Sequence, residues 1–437
     1  MLQTLFHIPR TVAGLPVFGF GWLLMLWAIG SLALLGWLVR RQGWNAETKS
    51  HLPLLGTIGL VIAFVLPNVC DEYGLPIRGY GTMLLLGVIS GVWLATYRAR
   101  RLGLDPEIII SLAFWLFLAG IVGARLFYII EYWSDYQRPT AWETFKEVIN
   151  FTKGGLVVFG SAIGAGLALI VFVRKYRLPG LALADLIAPS LMLGQALGRV
   201  GCFLNGCCYG GVCDLPWKVQ FPFDSPPYVE QVREHRLYLH GLELDYSHPD
   251  SPPVIAAVEP DSPAAEAGLE PGQRIVKIKN LRKGTSVAPP TTDEAFRALL
   301  KIDGAGARFD VVTAGDPAPK RVTLATPELS LPVHPAQLYS AVDALLLCLF
   351  LLAYYPYRRR DGEVFALLAT IHPIARFLQE IIRVDEKAVF HTELSISQNL
   401  SLLMLAGAIG LWIYLLSRPR GLVWPRPAAP ACQALAA

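Results

Sequence analysis

"LADLIAPSLMLGQALGRVGCFLNGCCYGGVC", Leu183 to Cys213, decides the fold. Its apolar run to Leu204 is long enough to cross the roughly 30 Å of bilayer hydrocarbon. Arg199 lies near the end of that run, and the stretch holds four of the chain's seven cysteines. The other residues follow the same habit: the 437-residue chain is 54% hydrophobic and only 16% charged, which places most of it in lipid. A net charge of +4 is too small to imply a nucleic-acid partner, and none is expected.

Nine apolar runs reach spanning length, near residues 15–39, 52–70, 79–97, 108–130, 155–173, 183–204, 337–355, 363–382 and 397–416. Basic clusters fall at every second connection: Arg40 and Arg41; Arg98, Arg100 and Arg101; Arg174, Lys175 and Arg177; Arg358 to Arg360; Arg418 and Arg420. The positive-inside rule makes these cytoplasmic, with the N-terminus outside and the C-terminus inside. The first run is too long for a signal peptide and lacks a small-residue cleavage site, so it is a span. The expected fold is an all-α polytopic membrane protein with about nine transmembrane helices. Residues 1–73 would hold two N-terminal helices, 74–214 and 328–420 the two parts of a membrane core, 215–245 an extracytoplasmic loop, and 421–437 a cytoplasmic tail.

Between the sixth and seventh runs the pattern becomes soluble. Over residues 246–327, "PVIAAV", "QRIVKIKN", "RFDVVTAG" and "KRVTLAT" predict short strands, and "TTDEAFRALL" predicts a helix with a Thr N-cap. "VEPDSPAAEAGLEPGQRIVKIKN" (Val258 to Asn280) resembles PDZ domains of the bacterial periplasmic-protease type. That resemblance implies an inserted extracytoplasmic β-rich domain with an extended peptide ligand, bound by strand addition. At the place of the carboxylate-holding loop stands "SPPV" (Ser251 to Val254), with prolines instead of the glycine-bearing motif. Peptide binding and a spacer or docking role both remain open.

Ionisable residues within apolar runs mark cavities or partners, because charge at membrane depth is costly. Arg125, Arg199, His372, Arg376, Glu380 and Arg383 are such residues. Arg376 and Glu380 are four apart and share a helix face, with Arg383 one turn further on. A lone arginine there reads as interface snorkelling. Several converging from separate spans read as an anion site, and the abundant membrane anion is a lipid phosphate.

"LPIRGYGTMLLLG", "GARLFY", "GGLVVFG", "GRVGCFLNGCCYG", "HPAQLY" and "ARFLQEIIR", in this order from about Leu75 to Gly410, resemble the prolipoprotein diacylglyceryl transferase family. The resemblance implies a seven-helix core, leaving the first two spans extra. It implies transfer of a diacylglyceryl group from phosphatidylglycerol to the lipobox cysteine of prolipoproteins in the bacterial inner membrane, with no cofactor or metal. Arg199 and Arg376 would hold the lipid phosphate with Glu380 beside them; Tyr80 and His334 would join the catalytic set. Arg125, Asn205, Gly210, Gln337 and Tyr339 would line the substrate. The chain departs from the family in having Cys202 and Cys207 at positions commonly Asn and Glu, and Phe159 where the Gly-Gly loop has an essential histidine. A phenyl ring takes no proton from a thiol, so Tyr80, His334 or His372 would supply the proton path. Cys202, Cys207, Cys208 and Cys213 admit a disulfide, a thiol cluster or, less readily given adjacent Cys207 and Cys208, a metal. A non-catalytic lipid- or precursor-binding scaffold is the rival reading; a transporter is the third.

Overall fold

The computed structural model describes residues 3–71, 73–137, 140–149, 158–248, 250–302, 306–324, 329–384 and 393–424. Most of the "GGLVVFG" loop and the end of the C-terminal tail therefore lie outside the described residues, as does the Phe159 side chain. The chain forms two compact units: Met1–Met83 with Leu204–Cys207 and Phe221–Ser330, and Leu84–Phe203 with Cys208–Gln220 and Leu331–Ala437. The principal helices are α1 Trp22–Gln42, α2 Ala46–Leu60, α3 Gly79–Arg101, α4 Pro106–Glu131, α5 Ala141–Ile149, α6 Val158–Lys175, α7 Gly180–Asn205, α8 Pro226–Arg233, α9 Thr292–Leu300, α10 Ala336–Tyr354, α11 Glu363–Glu380 and α12 Ile396–Ser417. The strands used below are β1 Thr4–Ile8, β2 Leu75–Arg78, β3 Leu242–Leu244, β4 Ile255–Val258, β5 Ile275–Asn280, β6 Ser286–Val287, β7 Arg308–Thr313 and β8 Asp316–Thr323.

Seven helices among the described residues are long and apolar enough to cross a membrane: α1, α2 with its continuation to Val69, α3, α4, α7, α10 and α12. The protein is thus a mostly helical, multi-pass membrane protein. The other two expected runs also form helices, α6 and α11. The first described residue of α6 is Val158, and α11 is broken in hydropathy by His372, Arg376 and Glu380.

In the first unit, Asn45 caps α2 by accepting the Thr48 N–H at 2.9 Å, and Trp27 of α1 donates its indole N–H to the Leu55 carbonyl of α2 at 3.2 Å. β1 pairs antiparallel with β2, which brings Thr4–Ile8 beside the connection that enters α3. The β-rich part has its own core, with Tyr228, Leu242, Ile255, Phe296 and Phe309 all fully buried. Its sheet runs β8-β7-β5-β6, and β3 pairs with β4. Thr291 caps α9 as expected, accepting the Glu294 N–H at 3.3 Å. The "SPPV" stretch is tied into this framework: the Ser251 carbonyl accepts from Thr292 and the Pro253 carbonyl from Ile275, both at 2.9 Å. A tight turn opens β3 at His240–Gly241, both left-handed at φ +56° and +77°. Leu239 and Leu242 exchange hydrogen bonds of 2.8 and 2.9 Å across it, the geometry of a two-residue hairpin.

In the second unit, glycines set helix spacing. A Cβ on Gly123 of α4 would collide with the Gly160 carbonyl of α6, and one on Gly164 with the Ala119 carbonyl, so the two backbones meet through small residues as membrane helices commonly do. α3 approaches α7 at Gly87 and Gly194 in the same way. A polar knot holds α11 to α7. Asp185, fully buried, accepts the N–H groups of Gly362 and Phe365 at 2.8 Å each. The first turn of α11, whose N-cap Gly362 has no side chain to cap with, is thus capped by a carboxylate from another helix. Arg358 lies 3.9 Å from Asp185, and the guanidiniums of Arg98 and Arg358 sit 4.1 and 3.7 Å from the Tyr355 ring centre.

Candidate active site

The capped α11 presents His372, Arg376 and Glu380 at one-turn intervals, so all three share a face. α7 offers Gln195 and Arg199 at the same spacing. These residues, with Ser397 and Ser401 of α12, line a cavity of about 170 Å³, except Glu380, which lies just behind Arg376. Arg376 forms an ion pair with Glu380 and donates from Nη2 to the Ser397 hydroxyl at 2.8 Å. Arg383 reaches the same carboxylate at 3.5 Å, and the Ser395 hydroxyl donates to it at 3.2 Å. Ser395 also begins α12 with a capping box, exchanging hydrogen bonds with Gln398. The start of α12 and the end of α11 are therefore fixed together around Glu380.

Electrostatically, the cavity favours an anion. Arg199 has no ion pair with a described residue, and Arg376 and Arg383 share one carboxylate. Guanidiniums present planar forks that match phosphate or carboxylate oxygens, and their pull is stronger away from bulk water. α7 also borders, through Ser190, Leu191 and Gly194, an apolar cleft of about 440 Å³ whose other walls include Leu84, Val88 and Leu116.

The other expected site residues are placed differently. His334 Nδ1 lies 3.4 Å from the Tyr339 hydroxyl, which accepts from the Trp217 indole at 2.7 Å. Gly210 donates its N–H to the His334 carbonyl at 3.0 Å, and a Cβ there would lie 2.6 Å from His334 Cβ, so glycine is required for the close approach. Gly211 donates to the Ile382 carbonyl at 2.9 Å, strapping this loop to the segment that follows α11. Gln337 is fully buried in α10. Arg125 is held at the C-terminal end of α5, donating to the Val148 carbonyl at 3.0 and 3.3 Å, with the Tyr128 and Tyr136 rings 5.9 and 5.5 Å away; it does not line the arginine cavity. Tyr80 and Asn205 belong to the first unit. Tyr80 is 41% exposed at the start of α3, and the Asn205 carbonyl accepts from Gln3 at 3.5 Å. No disulfide joins the described cysteines, Cys70, Cys202, Cys207, Cys208, Cys213 and Cys348. Sequence reasoning missed Gln195, Ser395 and Ser397. The Ser-Ile-Ser-Gln run at 395–398 is a capping-box pattern that points to the first two turns of α12, and Gln195 lies one turn before Arg199.

These features define a class: a multi-pass helical membrane protein with an arginine-lined cavity between helices and an apolar cleft against one of the same helices. Comparison narrows the class. The profile of the family described as prolipoprotein diacylglyceryl transferase matches residues 67–414. The chain is similar to the phosphatidylglycerol–prolipoprotein diacylglyceryl transferase of Rhodopirellula baltica, 34% identical over 94% of this chain and 88% of that one. It is also similar to the proteins of the same name from Thermosynechococcus vestitus, 37% identical over 38% of this chain and 61% of that one, and Clostridium tetani, 32% identical over 41% and 70%. The chain belongs to the prolipoprotein diacylglyceryl transferase family.

Proposed function

We infer that this chain is a phosphatidylglycerol–prolipoprotein diacylglyceryl transferase: it moves the diacylglyceryl group of phosphatidylglycerol to the lipobox cysteine thiol of a prolipoprotein, releasing glycerol phosphate. Family membership sets the reaction. The observation that carries it to this chain's own residues is the cavity in which Arg199 of α7 faces Arg376 of α11. The phosphate bridges those two guanidiniums, Glu380 fixes Arg376, and the arginines stabilise the negative charge that the leaving phosphate gains. The apolar cleft accommodates an acyl chain, since its walls are almost wholly hydrocarbon. His334, Tyr339 and Gly210 form the polar mouth over which the lipobox lies, with Gln337 and Arg125 supporting the substrate around it.

The full topology has nine spans in the bacterial inner membrane, with α6 and α11 crossing beside the seven apolar helices. The soluble insert is a PDZ-like periplasmic domain. Support for it comes from the β-sheet with α9 packed on it and from the left-handed His240–Gly241 turn at the head of β3, whose position suits a carboxylate-facing loop better than "SPPV" does. A precursor peptide adding to the β3 edge is its proposed ligand. The test of the enzyme reading is thiol lipidation of a lipobox peptide by purified protein with labelled phosphatidylglycerol. Arg199→Lys and Arg376→Lys each lower the rate by well over about tenfold, or more than about 1.4 kcal/mol of transition-state stabilisation, because an ammonium lacks the fork. A native chain that binds phosphatidylglycerol through these arginines but transfers nothing is a scaffold.

A further inference from the structure

Among the described residues, the arginine cavity is lined by one ionisable ring, and the transfer reaction requires a group that takes a proton. His372 lines the cavity with Arg199 and Arg376, yet its Nδ1 is enclosed and has no hydrogen-bond partner among the described residues. A buried polar atom left unsatisfied costs on the order of 1–3 kcal/mol, so such atoms call for a reason. A purely structural imidazole in this position would be expected to use that nitrogen on one of the nearby hydroxyls or carbonyls. The candidate at the mouth, His334, already has Nδ1 beside the Tyr339 hydroxyl.

We propose that His372 is the general base of this enzyme, accepting the lipobox thiol proton inside the arginine cavity; this rests on the transferase reading above. The thiol gives its proton to the imidazole as sulfur attacks the glycerol carbon bonded to the phosphate oxygen. The S–C bond forms, the C–O bond breaks, and its electron pair leaves with glycerol phosphate. The imidazolium then returns the proton to the departing phosphate, so the base is restored and charge balances. The substrate itself makes this feasible. The phosphodiester, together with the Glu380 carboxylate paired to Arg376, offsets the two guanidiniums that would otherwise repel an imidazolium, so the positive ring forms beside an anion. Base and leaving-group site are thereby served by one cavity, with His372 and Arg376 one helical turn apart on α11 and Arg199 on α7.

The experiment compares the native full-length protein in detergent with His372→Asn and His372→Gln, using labelled phosphatidylglycerol and two lipobox peptides, one with cysteine and one with selenocysteine. A selenol is already ionised at neutral pH and needs no base. Both variants are expected to bind phosphatidylglycerol within about threefold of the native protein. With the cysteine peptide they should lose about 10²–10⁴-fold in kcat, the usual worth of a positioned base, and with the selenocysteine peptide they should recover to within about tenfold of the native rate. Native-like transfer of the cysteine peptide by either variant overturns the proposal. So does loss with both peptides in a variant that still binds lipid, which would make the ring a positioning group; if one variant fails to bind lipid, the other decides. A native protein that transfers to neither peptide overturns the transferase reading instead, so the two failures are distinct.

Discussion

Replacing Asp185 with Ala should strongly destabilise the membrane unit, and the magnitude follows from its partners. The carboxylate is fully buried and accepts two 2.8 Å hydrogen bonds from the first turn of α11. Hydrogen bonds to a charged group contribute about 1.5–3 kcal/mol each. Its loss also leaves the Arg358 side chain, only 1% exposed and 3.9 Å away, without its carboxylate, and breaking a buried pair in this way costs about 3–5 kcal/mol. These terms overlap, so roughly 4 kcal/mol is expected. The measurement is the unfolding free energy of purified protein in mixed micelles, by denaturant titration with a Trp fluorescence readout. Arg358→Met should cost clearly less in the Asp185→Ala background than alone, because the charge it removes is already unpaired. Loss of transfer activity should accompany the loss of stability, since this cap sets the direction in which α11 carries His372 and Arg376. A cost below about 1 kcal/mol for Asp185→Ala, with additive behaviour in the double variant, would refute the knot as an anchor of α11.

Other outcomes follow from packing and burial. Gly123→Leu should cost at least about 1–3 kcal/mol by forcing α4 and α6 apart, whereas Gly166→Ala, where a Cβ meets nothing within 4 Å, should be neutral or stabilising by up to about 1 kcal/mol; unfolding titrations of both separate steric contact from helix propensity. In the β-rich part, the Tyr246 hydroxyl is buried without a hydrogen-bond partner among the described residues and its ring meets Phe296 edge-on at 5.5 Å. Tyr246→Phe should therefore leave that domain as stable or stabilise it by up to about 1 kcal/mol, read as amide-exchange protection in the full chain. Burial pushes the Tyr246 phenol above its usual range. Its protonated form therefore favours the folded state below about pH 10, and that contribution is lost as pH rises further; a protection profile of Tyr246→Phe that falls as steeply as the native one above pH 10 would refute this assignment.

Much of this architecture could be read from the chain. Runs of about twenty apolar residues with basic flanks predict spans without reference to tertiary contacts, because lipid imposes its thickness on each helix separately. α11 was harder to count, since a helix that presents His372, Arg376 and Glu380 to a cavity loses the hydropathy by which spans are recognised. Arg199, Arg376 and Glu380 were legible as a group for the same reason: ionisable residues within apolar runs have few places to go. Asp185 was not legible. A single carboxylate near the start of a span looks like an interfacial residue, and only the chain's return 177 residues later to place two free N–H groups against it gives it a role. The His240–Gly241 turn was not legible either, because a left-handed non-glycine residue such as His240 is recognised only once its backbone is seen.

Glu380 has an evident purpose in a cavity proposed to bind an anion. Three guanidiniums without a carboxylate would repel one another and splay into whatever water or lipid headgroups they could reach. With Glu380 held by the Ser395 hydroxyl, Arg376 and Arg383 are drawn to one fixed point and Arg376 keeps donors directed at Ser397 and the cavity. The carboxylate also tempers the net charge. The transfer converts a phosphodiester with one negative charge into a phosphate monoester that carries close to two at neutral pH, so an all-cationic pocket would favour the released product over the next lipid. A site that leaves Arg199 without an ion pair among the described residues and Arg376 partly neutralised can stabilise charge as it develops on the leaving phosphate and still let that phosphate go.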